Sequence, residues 1–342
     1  MKAWILEKNT SVIETPSPLR MVSIPRPQPN PGEVLLRVTT CGVCHTELDE
    51  IEGRTPPPLY PMIPGHQVVG IVETHCGKRT DISKGVRVGV AWIYSACGHC
   101  ENCLCGLENL CTAFLATGRD KNGGYAEYMV ADEQFIYPIP DIFSDAQAAP
   151  LLCAGAIGYR SLSLCLPHDG QHIGLTGFGA SGHLVLKLLQ YQFPKTRVYV
   201  FARSEKERQF ASELGAHWTG DTPDRPPRLL DAIIDTTPVW KPVFHALFAL
   251  RPGGRLVINA IRKENVDIGI MTELDYPSQL WMEKEIKSVA NVTRKDVVEF
   301  IRIAEEMPFI PEIETYPFSQ ANQALYDLRT RNIKGAKVLT IS

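Results

Sequence analysis

The chain has no run of about 18 uninterrupted apolar residues, so nothing in it reads as a membrane-spanning helix. It also lacks a surplus of charge of either sign: 35 Lys and Arg stand against 38 Asp and Glu, for a net charge of −3. That balance excludes the electrostatic footprint of a nucleic-acid face or a polybasic membrane patch. Internal repeats and low-complexity tracts are missing as well. At the N-terminus, Met1-Lys2-Ala3-Trp4-Ile5-Leu6-Glu7 lacks the long apolar core of a secretory signal. These absences leave a cytoplasmic protein that works on a small molecule. Its 342 residues predict two domains, each burying its own core.

What the chain does have is cysteine, ten residues of it. In a reducing compartment these read as metal ligands and buried thiols rather than as a disulfide scaffold. Cys97-Gly-His-Cys100-Glu-Asn-Cys103, followed by Cys111, makes two consecutive Cys-x-x-Cys steps and adds a fourth thiol shortly beyond. That spacing lets the backbone wrap one ion in a tetrahedron of sulfurs, the pattern of a closed structural zinc site. Disulfides, a redox Cys-x-x-Cys and an iron–sulfur cluster are the competing uses. Cys105 breaks the stepwise spacing and reads as a bystander.

The texture changes near Pro150. Before it, short β-type runs (Glu33 to Thr39, Val68 to Glu73, Val86 to Trp92) are separated by Pro- and Gly-rich loops. After it, strands expected at Ile173 to Thr176, Arg197 to Phe201, Leu230 to Asp235 and Arg255 to Asn259 alternate with helices from Ala180 and Ser204, the second opened by a Ser204-x-x-Glu207 capping box. The alternation implies a parallel sheet with helices on its faces. Its first turn carries Gly177-Phe-Gly179-Ala-Ser-Gly182, the dinucleotide-binding fingerprint in its required context. The first two glycines permit a tight turn and close approach to a pyrophosphate, which meets the positive end of the following helix. An NAD-type site places Asp or Glu at the end of the next strand, where this chain has Ala202, Arg203 and Ser204. A small residue removes the carboxylate that repels a 2′-phosphate, and Arg203 with the Ser204 hydroxyl suits binding one. NADP(H) is the expected preference and NAD(H) the alternative, with Arg203 then stacking on adenine or facing solvent. Lys206 and Arg208 either add positive charge nearby or form an exposed helix face.

Three further segments are ambiguous when taken singly: Cys41-Gly-Val-Cys44-His45-Thr46-Glu47, Pro64-Gly65-His66-Gln67 and Ala149-Pro150-Leu-Leu-Cys153-Ala-Gly155. A single His is more often structural, and a lone Cys more often a small buried hydrophobe. Taken with the four-cysteine loop and the nucleotide turn, they resemble the zinc-dependent alcohol dehydrogenases of the medium-chain dehydrogenase/reductase superfamily, over essentially the whole chain. The resemblance implies an α/β fold. A GroES-like β-rich catalytic domain is expected over 1–150 and 291–342, and a Rossmann domain, a doubly wound parallel sheet, over 151–290.

The same resemblance implies two zinc ions per subunit: a catalytic one on Cys44, His66 and Cys153, and a structural one on Cys97, Cys100, Cys103 and Cys111, with Cys41 left out. Three protein ligands leave one position open for an alcohol or carbonyl oxygen. Thr46 then takes the alcohol proton and hands it to the nicotinamide ribose. His45 contacts the cofactor pyrophosphate or faces solvent, and Asp49 or water ends the relay. Trp92 narrows the substrate pocket or packs in the core, and Thr55 stands where a second bulky residue is common. The implied reaction is reversible hydride transfer between primary alcohols or aldehydes and NADP(H), in a homotetramer or homodimer. A polyol or secondary-alcohol dehydrogenase is one alternative. A non-catalytic nucleotide-binding structural or sensor protein is the other, and the intact Cys44, Thr46, His66 and Cys153 set speaks against it. The chain departs from the family pattern in three places. Gln67 replaces a Glu that approaches the metal from behind, Asp49 replaces a His, and Ala336, flanked by Lys334 and Lys337, replaces a basic residue that grips the cofactor.

Overall fold

Glu33–Val43 is an 11-residue strand whose Val34, Leu36 and Val38 are buried in the core, and it organises one of two units. The computed structural model describes residues 1–307, 310–330 and 335–341, divided into Met1–Ala156 with Val292–Ser342, and Ile157–Asn291. In the first unit, Val68–His75 takes one edge of Glu33–Val43 in antiparallel register. The other edge is shared: Tyr128–Asp132 pairs with its first half, and Ala336–Thr340, close to the end of the chain, pairs with Thr40–Val43. Arg87–Val90 and Ile136–Pro138 extend the sheet on one side, and Ile313–Pro317 extends it on the other. Val68, Val72, Val88 and Leu339 join the same apolar core.

Where Glu33–Val43 ends, the chain turns at once into the helix His45–Ile51, with Cys44 as its N-cap. The Cys44 sulfur accepts the Thr46 N–H at 3.4 Å, and Glu47, three residues on, accepts the Cys44 N–H at 2.8 Å. This reciprocal pair satisfies donors that a helix start leaves open. It also fixes the thiol at a strand-to-helix junction, with no freedom of a loop.

The second unit is a six-stranded parallel sheet in the order Trp218–Gly220, Arg197–Phe201, His172–Thr176, Leu230–Asp235, Leu250–Ile258, Glu285–Ser288. The first strand in sequence lies at the centre and the chain reverses direction beside it, which is the topology that binds dinucleotides at the strands' carboxyl ends. Two expectations need correction. The fifth strand starts at Leu250 and not after Gly254, because a register shift opposite Leu230 and Ala232 absorbs Pro252 and its neighbours into the strand. Ser204 is the N-cap of Glu205–Glu213, but its hydroxyl makes no capping bond. The turn is closed instead by Arg208, whose N–H donates to the Ser204 carbonyl at 3.1 Å. None of the described helices is long and apolar enough to cross a membrane.

Candidate active site

Three separate pieces of the first unit bring their side chains together. Cys44 comes from the strand-to-helix junction, His66 from the corner that precedes Val68–His75, and Cys153 from the end of the 3₁₀ turn Ala149–Leu152. Each offers one donor atom, and the three atoms lie within 4.8 Å of one another. The Cys44 sulfur is 3.6 Å from His66 Nε2. On the far side of the ring, His66 Nδ1 is 2.5 Å from Glu47 Oε1, with both residues sealed from solvent. Glu47 therefore holds the imidazole so that Nε2 faces the sulfur. Burial works against a charged His66, but the charges of Glu47 and Cys44 outweigh it and raise its pKa. Its bond with Cys153, and burial after that, raise the Cys44 thiol.

Two thiols and an imidazole whose outer nitrogen rests on a carboxylate fit a zinc ion, and three ligands leave a coordination position open. Glu47 is the residue that sequence reasoning passed over. Its only local signal is its place three residues after Cys44, at the helix position that reaches back to the cap. Cys41 is fully buried and lies outside the cluster.

The donor atoms of Cys97, Cys100, Cys103 and Cys111 form the second group within 4.8 Å. Cys97 and Cys103 sulfurs are 3.9 Å apart. A disulfide needs about 2.05 Å, whereas four sulfurs about 2.3 Å from a central zinc stand about 3.8 Å apart. All ten cysteines are free thiols, and Cys105 is exposed and outside the group. The backbone N–H groups of His99 and Cys100 draw the Cys97 thiol down to about 6, toward the thiolate that a metal requires. Glu108 fastens this lobe to the returning C-terminal segment, accepting from the Arg294 N–H at 2.8 Å and from its guanidinium at 3.0 Å.

The remaining expected residues are more dispersed. Thr46 is buried one residue into the helix. Asp49 is tied to Arg54 Nε at 2.5 Å, and Arg54 also reaches Glu52. Burial raises the Asp49 pKa, with Arg54 and His45 acting against it. His45 is exposed, and half-buried Thr55 gives its N–H to the Asp49 carbonyl. Trp92 is buried with its ring 5.3 Å from Phe114 and the Arg119 guanidinium above it. Its indole N–H has no partner among the described residues. Lys337 is buried against Tyr316 and Glu314, a core site that removes it from any cofactor role. Lys334 lies outside the described residues.

In the second unit, Gly177 follows His172–Thr176 with φ +79, and a Cβ there would meet Thr236 Oγ1 at 2.9 Å. A Cβ on Gly182 would meet the Gly177 carbonyl at 2.8 Å, whereas Gly179 faces open space. Turn, close packing and an open approach are thus divided among the three glycines. Ala202 is buried, Arg203 exposed and Ser204 half-buried.

Residues 30–141 match the model of the alcohol dehydrogenase GroES-like domain. Over its full length the chain is 38% identical to a probable alcohol dehydrogenase, AdhA, of Mycobacterium tuberculosis, covering 97% of that protein. It is 32% identical to an alcohol dehydrogenase of Geobacillus stearothermophilus, with 100% of each covered. Among solved structures, a cinnamyl alcohol dehydrogenase from Sorghum bicolor superposes with a TM-score of 0.82 at 25% identity, over 99% of this chain and 97% of that one. The chain belongs to the zinc-type alcohol dehydrogenases of the medium-chain dehydrogenase/reductase superfamily: it is an oxidoreductase that acts on an alcohol.

Proposed function

We propose that this alcohol dehydrogenase is zinc-dependent, prefers NADP(H), and interconverts primary alcohols and aldehydes. The observation that carries the proposal is the convergence of Cys44, His66 and Cys153 within 4.8 Å, with Glu47 on the outer nitrogen of His66. These three residues hold the catalytic ion, and Cys97, Cys100, Cys103 and Cys111 hold a structural one. The first unit is then the catalytic domain and the second the cofactor domain, in a homodimer or homotetramer. When bound, zinc supplies Lewis-acid polarisation of an alcohol or carbonyl oxygen, and the nicotinamide accepts or returns hydride.

The chain's own residues set up the rest. Glu47 keeps His66 Nε2 aimed at the metal position. Thr46 receives the alcohol proton. Asp49, bound to the Arg54 guanidinium, or water completes the proton's exit, and His45 meets the cofactor pyrophosphate. Trp92 narrows the substrate pocket, and Thr55 stands where a second bulky residue is common. The name of the sorghum neighbour denotes an aryl-substituted primary alcohol, which supports the substrate class. For the cofactor, Gly177, Gly179 and Gly182 receive the pyrophosphate, Ala202 presents no carboxylate, and Arg203 and Ser204 bind the 2′-phosphate.

Two variants test this. Cys44→Ser should lose one zinc equivalent and its turnover while retaining the other ion; intact turnover would falsify the catalytic assignment. Ala202→Asp should raise the ratio of NADH to NADPH kcat/KM about tenfold or more, equivalent to about 1.4 kcal/mol of discrimination. An unchanged ratio removes the basis for the NADP(H) preference.

A further inference from the structure

We propose that Arg208 is a positioning residue for cofactor selection: it clamps the Ala202–Ser204 loop in the shape that receives the 2′-phosphate, without binding the phosphate itself. The assignment rests on the NADP(H) preference proposed above.

The strand Arg197–Phe201 ends by giving the Ala202 N–H to the Gly220 carbonyl at 2.9 Å. Beyond that bond, the carbonyls of Ala202 and Arg203 lie past the end of the strand and ahead of the helix Glu205–Glu213. Arg208 is the fourth residue of that helix, and it reaches back one turn to serve both: Nη1 donates to the Ala202 carbonyl at 2.7 Å and to the Arg203 carbonyl at 2.9 Å. Its own N–H closes on the Ser204 carbonyl at 3.1 Å. Three consecutive carbonyls of the loop thus end on one residue.

This arrangement is unusual in sense, because a helix start normally needs acceptors for its free N–H groups and not donors for carbonyls. It has a consequence for Ser204, whose hydroxyl makes no capping bond and stays available to a ligand. Arg203 remains exposed at the centre of the clamped turn. A long, flexible arginine at an exposed turn binds a phosphate weakly unless its backbone is held, since ordering loop and side chain together costs affinity. The clamp meets that cost before the cofactor arrives. Arg208 commits a guanidinium nitrogen to the protein, which separates its role from that of Arg203.

The experiment is a double-mutant cycle on the full-length enzyme, with KM and kcat measured for NADPH and NADH and binding of 2′,5′-ADP and 5′-ADP measured by calorimetry. Arg203→Ala and Arg208→Ala should each raise the NADPH KM about tenfold, with less than a twofold change for NADH. Each should also weaken 2′,5′-ADP selectively. The double variant should lose little beyond Arg203→Ala, because Arg208 acts through the loop that presents Arg203. Additive losses would show that Arg208 acts independently of Arg203, and equal losses for NADPH and NADH would show a merely structural role; either overturns the proposal. If Arg203→Ala itself leaves the NADPH to NADH ratio unchanged, it is the cofactor preference that fails. Should Arg208→Ala not fold, Arg208→Gln, which retains a single amide donor for one carbonyl, takes its place in the cycle with the same expected pattern at smaller amplitude.

Discussion

Two glutamates on one short helix show how differently a carboxyl behaves once its partners are counted. Glu47 spends both oxygens, one on His66 Nδ1 and one on the Cys44 N–H, so it orients two of the three donors at once. Glu47→Gln should weaken metal retention at this site by about 10- to 100-fold, the usual cost of losing an outer partner of a ligating His, read as the rate of zinc transfer to a colorimetric chelator. Unchanged release would mean the imidazole is held by packing alone. Glu50, one turn on, is sealed from solvent, and neither oxygen has a partner among the described residues. Burial and the charge of Glu47 raise its pKa well above the usual range. A carboxyl raised in the folded state contributes stability below its unfolded pKa of about 4.3 and loses it as pH rises. Glu50→Gln should therefore be more stable than wild type at pH 7 in metal-free protein, with the gap closing on acidification toward pH 4; thermal melts across that range would contradict this if the gap widened. Local spacing gave Glu47 only its reach back to the Cys44 cap and gave Glu50 nothing. Cysteine and histidine announce themselves by type and interval, but Glu47 acquires its function from a histidine 19 positions away, and Glu50 from what fails to surround it.

At the scale of elements, the four-cysteine lobe shows both what spacing reveals and what it hides. The gathering of these four sulfurs follows from the intervals between Cys97 and Cys111, because consecutive short steps can wrap only a small object. The fastening of the lobe does not, since Glu108 meets Arg294 across 186 positions of sequence. Burial alone would raise Glu108, but the Arg294 N–H and guanidinium hold it below the ordinary carboxylate range. Stability from this contact is present above the unfolded pKa of about 4.3 and is lost as pH falls through the lower folded value. Glu108→Gln should lower Tm at pH 7 and converge with wild type below pH 4; parallel curves would show that the charge contributes nothing. The helix Glu205–Glu213 carries the opposite lesson. Ser204 and Glu207 have the spacing of a capping box, yet no cap bond forms from Ser204, because the side chain of Arg208 organises the same turn through its carbonyls. Local patterns state which bonds are available. A neighbour one turn away decides which are used.

For the whole molecule, alternation of strands and helices after Pro150 sufficed to expect a parallel sheet, and its six strands follow the dinucleotide-binding order. The return of the C-terminal strand to Thr40–Val43 was expected only from the family resemblance, since no periodicity says which sheet a terminal strand joins. That return completes the sheet from which Cys44 emerges, so the metal position depends on both ends of the chain. The central claim is that the Cys44, His66 and Cys153 position binds a zinc required for alcohol chemistry while the four-cysteine lobe binds a second. The most direct test measures zinc content together with NADPH-dependent reduction of linear and aromatic aldehydes, on wild type and Cys44→Ser in parallel. The expected result is two zinc ions and turnover in wild type, and one zinc ion without turnover in the variant, with Tm nearly unchanged. Two zinc ions in the variant, or turnover that survives the loss of one, would contradict it.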